Sequence, residues 1–423
     1  MPSFVHAADL HLDSPLRGLE RHEGAPVADI QIATRRALEN LVELAIDRRV
    51  DAVVLAGDLY DGNWDDYHTG LFFTHQMGRL READIPVVAI AGNHDAISKM
   101  TRSLPLPDNF QLLGHQQAET ASLPKLRRAG LAIHGRSFGK QAERERIVVE
   151  YPPAVPGMFN IGLLHTSLSG SEGHDPYAPC TIEDLHAKQY DYWALGHVHQ
   201  RQIVSRDPWV IYSGNTQGRH IRETGEKGCY VVEVHADGSV HPTFHALDVV
   251  RWVHCQVDAG SYERPEDVLE DVESRICELL PRHEGRLMAL RVEVGGPCRF
   301  HERYAAARTH WDHQVRGLAA GLAPGRLWIE KVRWTTRPWR EQDWGGDGDG
   351  PIAELLHVFR EVQGDEATLR ELRTELHALK RRLPPEAMGD ADGIRLDDLH
   401  WLRTMLGEVE PMLVGRLQGG VGQ

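Results

Sequence analysis

Cysteine is scarce in this sequence of 423 residues, and its pattern disfavours two kinds of stabilising site. The five cysteines are an odd number without paired spacing: Cys180, Cys229, Cys255, Cys277 and Cys298. Such a set argues against a disulfide framework and against a zinc ribbon. We therefore expect these residues to be small, buried apolar side chains.

Long apolar runs are also missing. None approaches the roughly eighteen residues needed to span a bilayer, and the N-terminal residues 1–9 lack the basic region and apolar core of a signal peptide. Hydrophobic residues make up 41% of the chain and charged residues 26%, without a dominant low-complexity block. We expect a globular, soluble and cytoplasmic protein with two or three domains.

The sequence has no excess of positive charge. Its formal net charge is −15, whereas proteins that bind nucleic acid through phosphate contacts usually carry basic surfaces. Bound divalent cations would make an active-site face less negative than this total. The charge therefore disfavours avid DNA binding by the chain alone, but it leaves enzymes that act on phosphate esters open.

Five short motifs that can bind metal occur in order along the first half of the chain. They are Asp9-Leu-His11, Gly57-Asp58, Gly92-Asn93-His94-Asp95, His165 and Gly196-His197-Val198-His199. Together they offer carboxylate oxygens, one amide oxygen and imidazole nitrogens, a mixture that favours Mn, Fe or Zn over Mg or Ca. Two such ions held close together hydrolyse phosphate esters.

The motifs fall where buried strands are predicted to end. Strands are predicted at residues 3–8, 51–56, 86–90, 110–112, 131–134, 159–165, 190–195 and 209–212, and a hairpin at 229–234 and 240–246. Helices are predicted at 29–48 and 67–82. This alternation indicates an α/β layered fold, in which ligands commonly bind at the carboxyl ends of strands.

The pattern changes near residue 250 and predicts further domains. We expect a catalytic domain at 1–250, a small β-α-β-α-β cap at 251–340, a flexible linker at 341–351 and a helical segment at 352–423. Leucines recur along the helical segment at Leu369, Leu372, Leu376, Leu379, Leu396, Leu399, Leu402 and Leu406. They fit either a helical hairpin that folds on itself or on the cap, or a surface that docks a partner's helices.

The ordered motifs resemble those of the calcineurin-like metallophosphoesterase superfamily over residues 1–250. The resemblance implies a β-sandwich flanked by helices, with two divalent metal ions. It assigns one ion to Asp9, His11, Asp58 and His199, and the other to Asp58, Asn93, His165 and His197. It also favours Mn, although the ligand mixture suits Fe or Zn as well.

Four further residues are expected to support these ligands. The resemblance places His94 beside the metals, where it would protonate the leaving oxygen or steady the phosphate. Asp95 is a candidate for orienting His94, with a carboxylate at a helix start as the alternative. Asp13 and Asp61 are candidates for hydrogen bonds that hold the metal ligands in place.

Longer stretches are similar to the DNA-repair exonuclease branch of that superfamily, which includes SbcD-type and YhaO-type proteins. These stretches are residues 9–16, 57–62, 92–95 and 212–223. The resemblance implies a metal-dependent DNA exonuclease of repair or recombination that hydrolyses phosphodiester bonds with a metal-activated water. It also implies a cap that helps to place DNA, and C-terminal helices that bind an SMC-like ATPase of the SbcC/YhaN type.

Two other functions stay open at this point. The acidic net charge favours a phosphodiesterase for a nucleotide or another small phosphate ester. A non-catalytic scaffold with structural metals is the second alternative, and the complete ligand set argues against it. The sequence does not determine exonuclease polarity, endonuclease activity or whether the chain forms a homodimer.

Overall fold

The computed structural model describes residues 2–14, 25–61, 67–97, 106–168, 177–339, 358–359, 361–380, 383 and 394–419. Its fold is mixed α/β, with layered sheets flanked by helices, as the sequence predicts. The chain divides into two compact units. The first comprises most residues up to Val253 together with Gly285–Met288, and the second comprises His254–Glu284 and the chain from Ala289 onward.

Fifteen strands occur among the described residues. They are β1 (Ser3–Ala7), β2 (Ala52–Ala56), β3 (Val87–Ile90), β4 (Phe110–Leu112), β5 (Glu119–Thr120), β6 (Leu131–Gly135), β7 (Phe159–His165), β8 (Tyr192–Gly196), β9 (Gln202–Arg206), β10 (Trp209–Tyr212), β11 (Gly228–Val234), β12 (Val240–Ala246), β13 (Val250–Asp258), β14 (Leu287–Cys298) and β15 (Leu327–Pro338).

The same part of the chain contains ten α-helices. They are α1 (Val27–Gln31), α2 (Ala33–Arg48), α3 (Tyr67–Glu82), α4 (Pro124–Arg128), α5 (Ile182–His186), α6 (Asp267–Leu279), α7 (His301–Ala306), α8 (Arg308–Leu322), α9 (Glu366–Lys380) and α10 (Leu399–Gly419). None of these helices is long and apolar enough to cross a membrane.

Two six-stranded sheets form the framework of the first unit. Their strand orders are β12-β11-β1-β2-β3-β4 and β5-β6-β7-β8-β10-β9, and a separate three-stranded sheet has the order β13-β14-β15. In the first sheet β1, β2, β3 and β4 are parallel. In the second sheet β6, β7, β8 and β10 are parallel. Parallel pairing brings the carboxyl ends of neighbouring strands to the same edge of each sheet.

The two sheets pack face to face through one apolar cluster. Phe4 and Val54 from the first sheet share this cluster with Ile161 and Tyr192 from the second. The other face of the first sheet is covered by α2 and α3, whose Leu38, Leu41, Phe73 and Met77 belong to a second cluster. The result is the sandwich flanked by helices that the sequence predicts.

The predicted helix at 29–48 is interrupted at a single residue. Ile32 separates α1 from α2, but the chain keeps helical hydrogen bonds on both sides of it. The N–H of Ile32 donates to Ala28 at 3.3 Å, and the N–H of Arg36 donates to Ile32 at 3.0 Å. The interruption therefore leaves the course of the helix almost unchanged.

Residues 250–338 have the order of elements that was predicted for the cap, with one difference. The order is β13, α6, β14, helix, β15, but the second helix is divided at Ala307 into α7 and α8. Both long helices bury one residue per turn: Val268, Val272 and Ile276 on α6, and Trp311, Val315 and Ala319 on α8.

The leucines of the C-terminal segment pack against one another. Leu369, Leu396 and Leu402 are buried in one cluster, with Leu376, Leu399 and Leu406 packed beside it. Leu379 is 49% exposed and lies outside that cluster. Helix α10 also contacts α7, so the packing fits the predicted helical hairpin that folds on itself or on the cap. The predicted linker at 341–351 and the segment at 384–393 lie outside the described residues.

Replacing Gly162 by alanine should destabilise the sandwich. A Cβ at this position of β7 would overlap the buried Trp193 indole of β8. We expect the free energy of unfolding to fall by roughly 1–3 kcal/mol, the usual effect of overpacking a core. Urea unfolding followed by circular dichroism measures the change.

Gly78 in α3 provides the matched control, because a Cβ there meets no other atom within 4 Å. Gly78→Ala should leave stability unchanged or raise it by about 0.5–1 kcal/mol, since alanine favours helix more than glycine does. Equal effects of the two substitutions would contradict the packing of β7 on β8.

Candidate metal centre

All five motifs follow parallel strands at their carboxyl ends. Asp9 and His11 follow β1, Asp58 follows β2, Asn93 and His94 follow β3, His165 ends β7, and His197 and His199 follow β8. The first three strands are neighbours in one sheet, and the last two are neighbours in the other. The sandwich therefore brings residues that are up to 190 positions apart in sequence to one place.

The backbone at four predicted ligands is in the left-handed region. The φ angles are 52° at Asp9, 43° at His11, 52° at Asp58 and 93° at His197. This region is unfavourable for residues other than glycine, and such strain persists only where the surrounding structure enforces it. Local strain at several residues of one site is typical of functional sites.

Strand alternation does not explain why Asp9 and His11 lie together. The strand ends at Ala7, and both residues lie beyond it with positive φ angles. Their backbone N–H groups donate to the carbonyls of Gly57 and Asp58, each at 3.0 Å. Leu10 and Leu12 are buried in the core. Asp9 and His11 therefore lie together because their loop is hydrogen-bonded to the loop after β2.

The side-chain atoms of the predicted ligands converge. Nε2 of His11 lies 3.2 Å from Nε2 of His199, and Nε2 of His165 lies 2.9 Å from Oδ1 of Asn93. Oδ2 of Asp58 lies 3.8 Å from the His11 nitrogen and 3.4 Å from the His165 nitrogen. Asp58 is thus placed between the two groups of histidines.

Three overlapping groups of side chains are arranged to hold a metal ion. They are Asp9, His11 and His199; His11, Asp58 and His94; and Asp9, Asp58 and His165, with the ligand atoms of each group within 4.8 Å of one another. Asp9, His11 and Asp58 each belong to two groups. His197 belongs to none of them, although its ring centre lies 5.3 Å from that of His165 and its N–H donates to the Asp9 carboxylate at 3.1 Å.

These residues fit a divalent cation. Two imidazole nitrogens that face each other at 3.2 Å need either a hydrogen on one of them or a cation between them, because two facing lone pairs would repel each other. Asp9 and Asp58 are each 1% exposed, and buried carboxylates are costly unless positive charge compensates them. The mixture of nitrogen and oxygen donors suits Mn, Fe or Zn.

The charges of the cluster depend on one another. Burial lowers the pKa of His11 well below its ordinary value, which favours the neutral imidazole that can bind metal. Burial alone would raise the pKa of Asp58, but the neighbouring His165 outweighs it and the pKa is lowered. Burial alone would lower the pKa of His165, but the negative charge of Asp58 outweighs this effect and raises that pKa to about 9. Asp58 is therefore the principal negative charge of the cluster.

His94 lies at the solvent side of the cluster. Its side chain is 37% exposed, and its Nδ1 lies 2.6 Å from Oδ1 of Asp61. The ring centre is 4.9 Å from that of His11, and the backbone N–H donates to Oδ1 of Asp58 at 2.9 Å. The hydrogen bond to Asp61 raises the pKa of His94 above its ordinary value. The imidazole is thus held beside the ligands while one edge can meet a substrate.

The three supporting aspartates have different surroundings. Asp61 binds His94 and accepts a hydrogen bond from Ser14 Oγ at 2.5 Å. Asp13 binds Arg35 and Thr69 instead of a predicted ligand.

Asp95 is 3% exposed and accepts hydrogen bonds from the backbone N–H groups of Gly92, Leu59 and Tyr60. The hydrogen bonds found for it in the described structure join the loops after β2 and β3 and do not reach the His94 ring. Its side chain points inward because those N–H groups need an acceptor.

Two site residues were not predicted as such. Glu223 is 6% exposed, and its Oε1 lies 2.7 Å from Nδ1 of His199. Arg219 lies 3.4 Å from Asp61 and 3.1 Å from Glu223. Both belong to the stretch 212–223 that carries the family resemblance, but its spacing alone does not show what they contact.

Comparison with known families agrees with this geometry. A model of calcineurin-like phosphoesterases matches residues 2–201, and a model of the middle domain of metallophosphoesterase YhaO matches residues 252–337. An uncharacterised metallophosphoesterase YhaO from Bacillus subtilis is 38% identical over 295 residues, which are 70% of this chain and 72% of that protein. The chain belongs to the calcineurin-like metallophosphoesterase family. It is accordingly a phosphoester hydrolase of a family that uses divalent metals.

More distant proteins are also similar to this metallophosphoesterase. The DNA double-strand break repair protein Mre11 from Sulfurisphaera tokodaii is 28% identical over 207 residues, which are 48% of this chain and 50% of that protein. A crystal structure of a dimetal phosphatase from Danio rerio aligns at 12% identity and a TM-score of 0.37. The alignment covers 58% of this chain and 96% of the phosphatase chain.

Gly92→Ala should weaken metal binding by the metallophosphoesterase. A Cβ on Gly92 would overlap the Asp58 carboxylate and lie 2.8 Å from Cε1 of His165. Changes around a metal site typically lower metal affinity by roughly 10- to 100-fold. We expect the affinity for Mn(II) to fall by at least this much. Isothermal titration calorimetry measures the affinity, with Gly78→Ala as the control. Wild-type affinity in Gly92→Ala would contradict the described approach of these loops.

Proposed function

We propose that this metallophosphoesterase is a two-metal DNA exonuclease that acts in repair or recombination. The observation that carries the proposal is the convergence of six side chains that can bind a metal, Asp9, His11, Asp58, His94, His165 and His199, at the carboxyl ends of strands from two sheets. The similarity to the DNA repair protein Mre11 supports DNA as the substrate class. A cytoplasmic location is part of the same proposal.

Seven residues would hold the two ions, for which we propose Mn. One ion would be bound by Asp9, His11, Asp58 and His199, and the other by Asp58, Asn93, His165 and His197. The position of Asp58 between His11 and His165 supports its role as the shared ligand. When bound, such a pair of ions polarises the phosphate and activates the attacking water.

His94 would assist departure of the leaving oxygen. Asp61 holds its Nδ1 at 2.6 Å, so that Nε2 is the nitrogen left to meet the substrate. A carboxylate that accepts from one imidazole nitrogen also stabilises the positive charge of the protonated ring, which is the form that donates a proton. The exposed edge of the ring is consistent with a substrate that approaches from solvent.

An SMC-like ATPase of the SbcC/YhaN type would supply much of the DNA-binding surface. The net charge of −15 motivates this part of the proposal, because an acidic chain alone binds DNA poorly. Leu379 and Val409 on the two C-terminal helices are 49% and 36% exposed and offer apolar contacts to helices of a partner.

The acidic charge also favours the second candidate function, a phosphodiesterase for a nucleotide or another small ester.

Asp58→Asn should abolish Mn-dependent degradation of linear double-stranded DNA. Replacing the shared ligand by a neutral amide removes the charge that joins the two groups of histidines, so we expect a loss greater than the roughly 10- to 100-fold seen for residues around a metal site. The measurement compares release of nucleotides with Mn and with EDTA, and includes bis-p-nitrophenyl phosphate as a small diester.

Asp237→Asn is the matched control, since this exposed aspartate lies in the β11–β12 turn and accepts its hydrogen bonds from Ser239. Cleavage of the small diester with intact DNA, in the presence of the ATPase, would favour the second candidate. DNA degradation retained by Asp58→Asn would contradict the proposed metal centre.

His94→Ala should lower the rate of DNA cleavage more than that of bis-p-nitrophenyl phosphate. The DNA leaving group needs a proton and nitrophenolate hardly does, so we expect roughly a 10²- to 10⁴-fold loss for DNA and a much smaller one for the small diester. The metal content of the variant, measured by atomic absorption, should equal that of the wild type. Equal losses for both substrates would contradict a role in protonation.

A further inference from the structure

Glu223 is surrounded by hydrogen-bond donors. It lies in the loop between β10 and β11. Its Oε1 lies 2.7 Å from Nδ1 of His199 and 3.1 Å from Nη2 of Arg219. Its Oε2 accepts from the backbone N–H of Arg219 at 2.7 Å and from Nδ2 of Asn215 at 2.9 Å. Each oxygen therefore accepts hydrogen bonds from two donors, and only a carboxylate can accept from all four.

The contact with Glu223 determines the tautomer of His199. An ionised carboxylate cannot donate, so Nδ1 of His199 must carry the hydrogen. The lone pair is then on Nε2, which is the nitrogen that lies 3.2 Å from His11 in the metal cluster. A carboxylate behind a metal-binding histidine both orients the ring and makes its free nitrogen a stronger ligand.

Arg219 extends the same restraint across the cluster. Its Nη2 binds Glu223, while its Nη1 lies 3.4 Å from Oδ2 of Asp61 and 3.4 Å from Oγ of Ser14. Asp61 in turn binds His94. The guanidinium therefore connects the carboxylate behind His199 with the carboxylate behind His94, and its side chain is only 14% exposed.

We infer that Glu223 is a positioning residue that fixes His199 as a ligand of one metal ion, and that Arg219 couples this restraint to Asp61 and His94. The inference rests on the proposed two-metal centre and deepens it. Its consequence is selective, because Glu223 contacts His199 and none of the residues assigned to the second ion alone. Loss of Glu223 should therefore weaken one metal site and spare the other.

The experiment is calorimetric titration of Mn(II) into metal-free wild type and Glu223→Gln. Whichever way the new amide turns, its NH₂ group must face two of the four donors. We expect one of the two Mn sites to weaken by roughly 10- to 100-fold and the other to stay at wild-type affinity. Asp248→Asn is the control, because this buried carboxylate binds Arg251 and Arg286 and contacts no predicted ligand among the described residues.

A double-mutant cycle tests whether Glu223 acts through His199. In the background of His199→Gln, the added Glu223→Gln change should have no further effect on Mn affinity. Unchanged affinities in Glu223→Gln, equal weakening of both sites, or full additivity in the cycle would each overturn the inference. Wild type that binds fewer than two Mn ions would instead overturn the proposed metal centre, so the two failures are distinguishable.

The tautomer can also be measured without any substitution at Glu223. Nitrogen-15 NMR of metal-free wild type labelled at histidine, with the His199 signals assigned by their loss in His199→Gln, reports which ring nitrogen bears the hydrogen. Hydrogen on Nδ1 supports the inference, and hydrogen on Nε2 alone would overturn it.

Discussion

Burial of the Asp58 carboxylate between two groups of histidines is the constraint on which the rest of the site depends. This side chain is nearly inaccessible to solvent, its backbone is left-handed, and it lies near both His11 and His165. Withdrawing a carboxylate from water is costly unless cations or hydrogen bonds compensate it. The histidines provide part of this compensation, and divalent cations would provide the remainder.

The sandwich supports this arrangement through short connections between loops. Asp95 accepts three backbone N–H groups and joins the loop after β2 to the loop after β3. The loop after β1 hydrogen-bonds to the loop after β2. Gly92 and Gly196 allow backbones and ligand side chains to approach more closely than a Cβ would permit. The strained residues are thus held by contacts that do not themselves involve metal, which is the usual condition for a preorganised site.

The strands that position the site could be predicted because their sequences are almost uniformly apolar. The segments at 52–56, 87–90 and 159–165 are largely apolar and become almost wholly buried strands, and a motif lies at or just after the end of each. Strand β9 was not predicted, because Gln202–Arg206 is an exposed edge strand without apolar alternation. The stripe in α9 was only partly informative, since Leu369 is buried whereas Leu379 is exposed.

The supporting residues of the site were harder to predict for a different reason. Metal ligands occur as compact motifs, whereas the supporting residues act through contacts with other segments. Arg219 contacts Asp61, which is 158 residues away, and Glu223 contacts His199, which is 24 residues away. No local periodicity encodes such a contact. The contacts of Asp95 could not be predicted for the same reason, since its carboxylate binds backbone N–H groups and not its neighbour in sequence, His94.

The most direct test of the account is a crystal structure of the protein grown with Mn, with anomalous diffraction recorded at the Mn edge. The account predicts two anomalous peaks in the cluster, with Asp58 in contact with both ions and His199 and His165 on different ions. A single peak, or two peaks without Asp58 between them, would contradict the proposed two-metal centre.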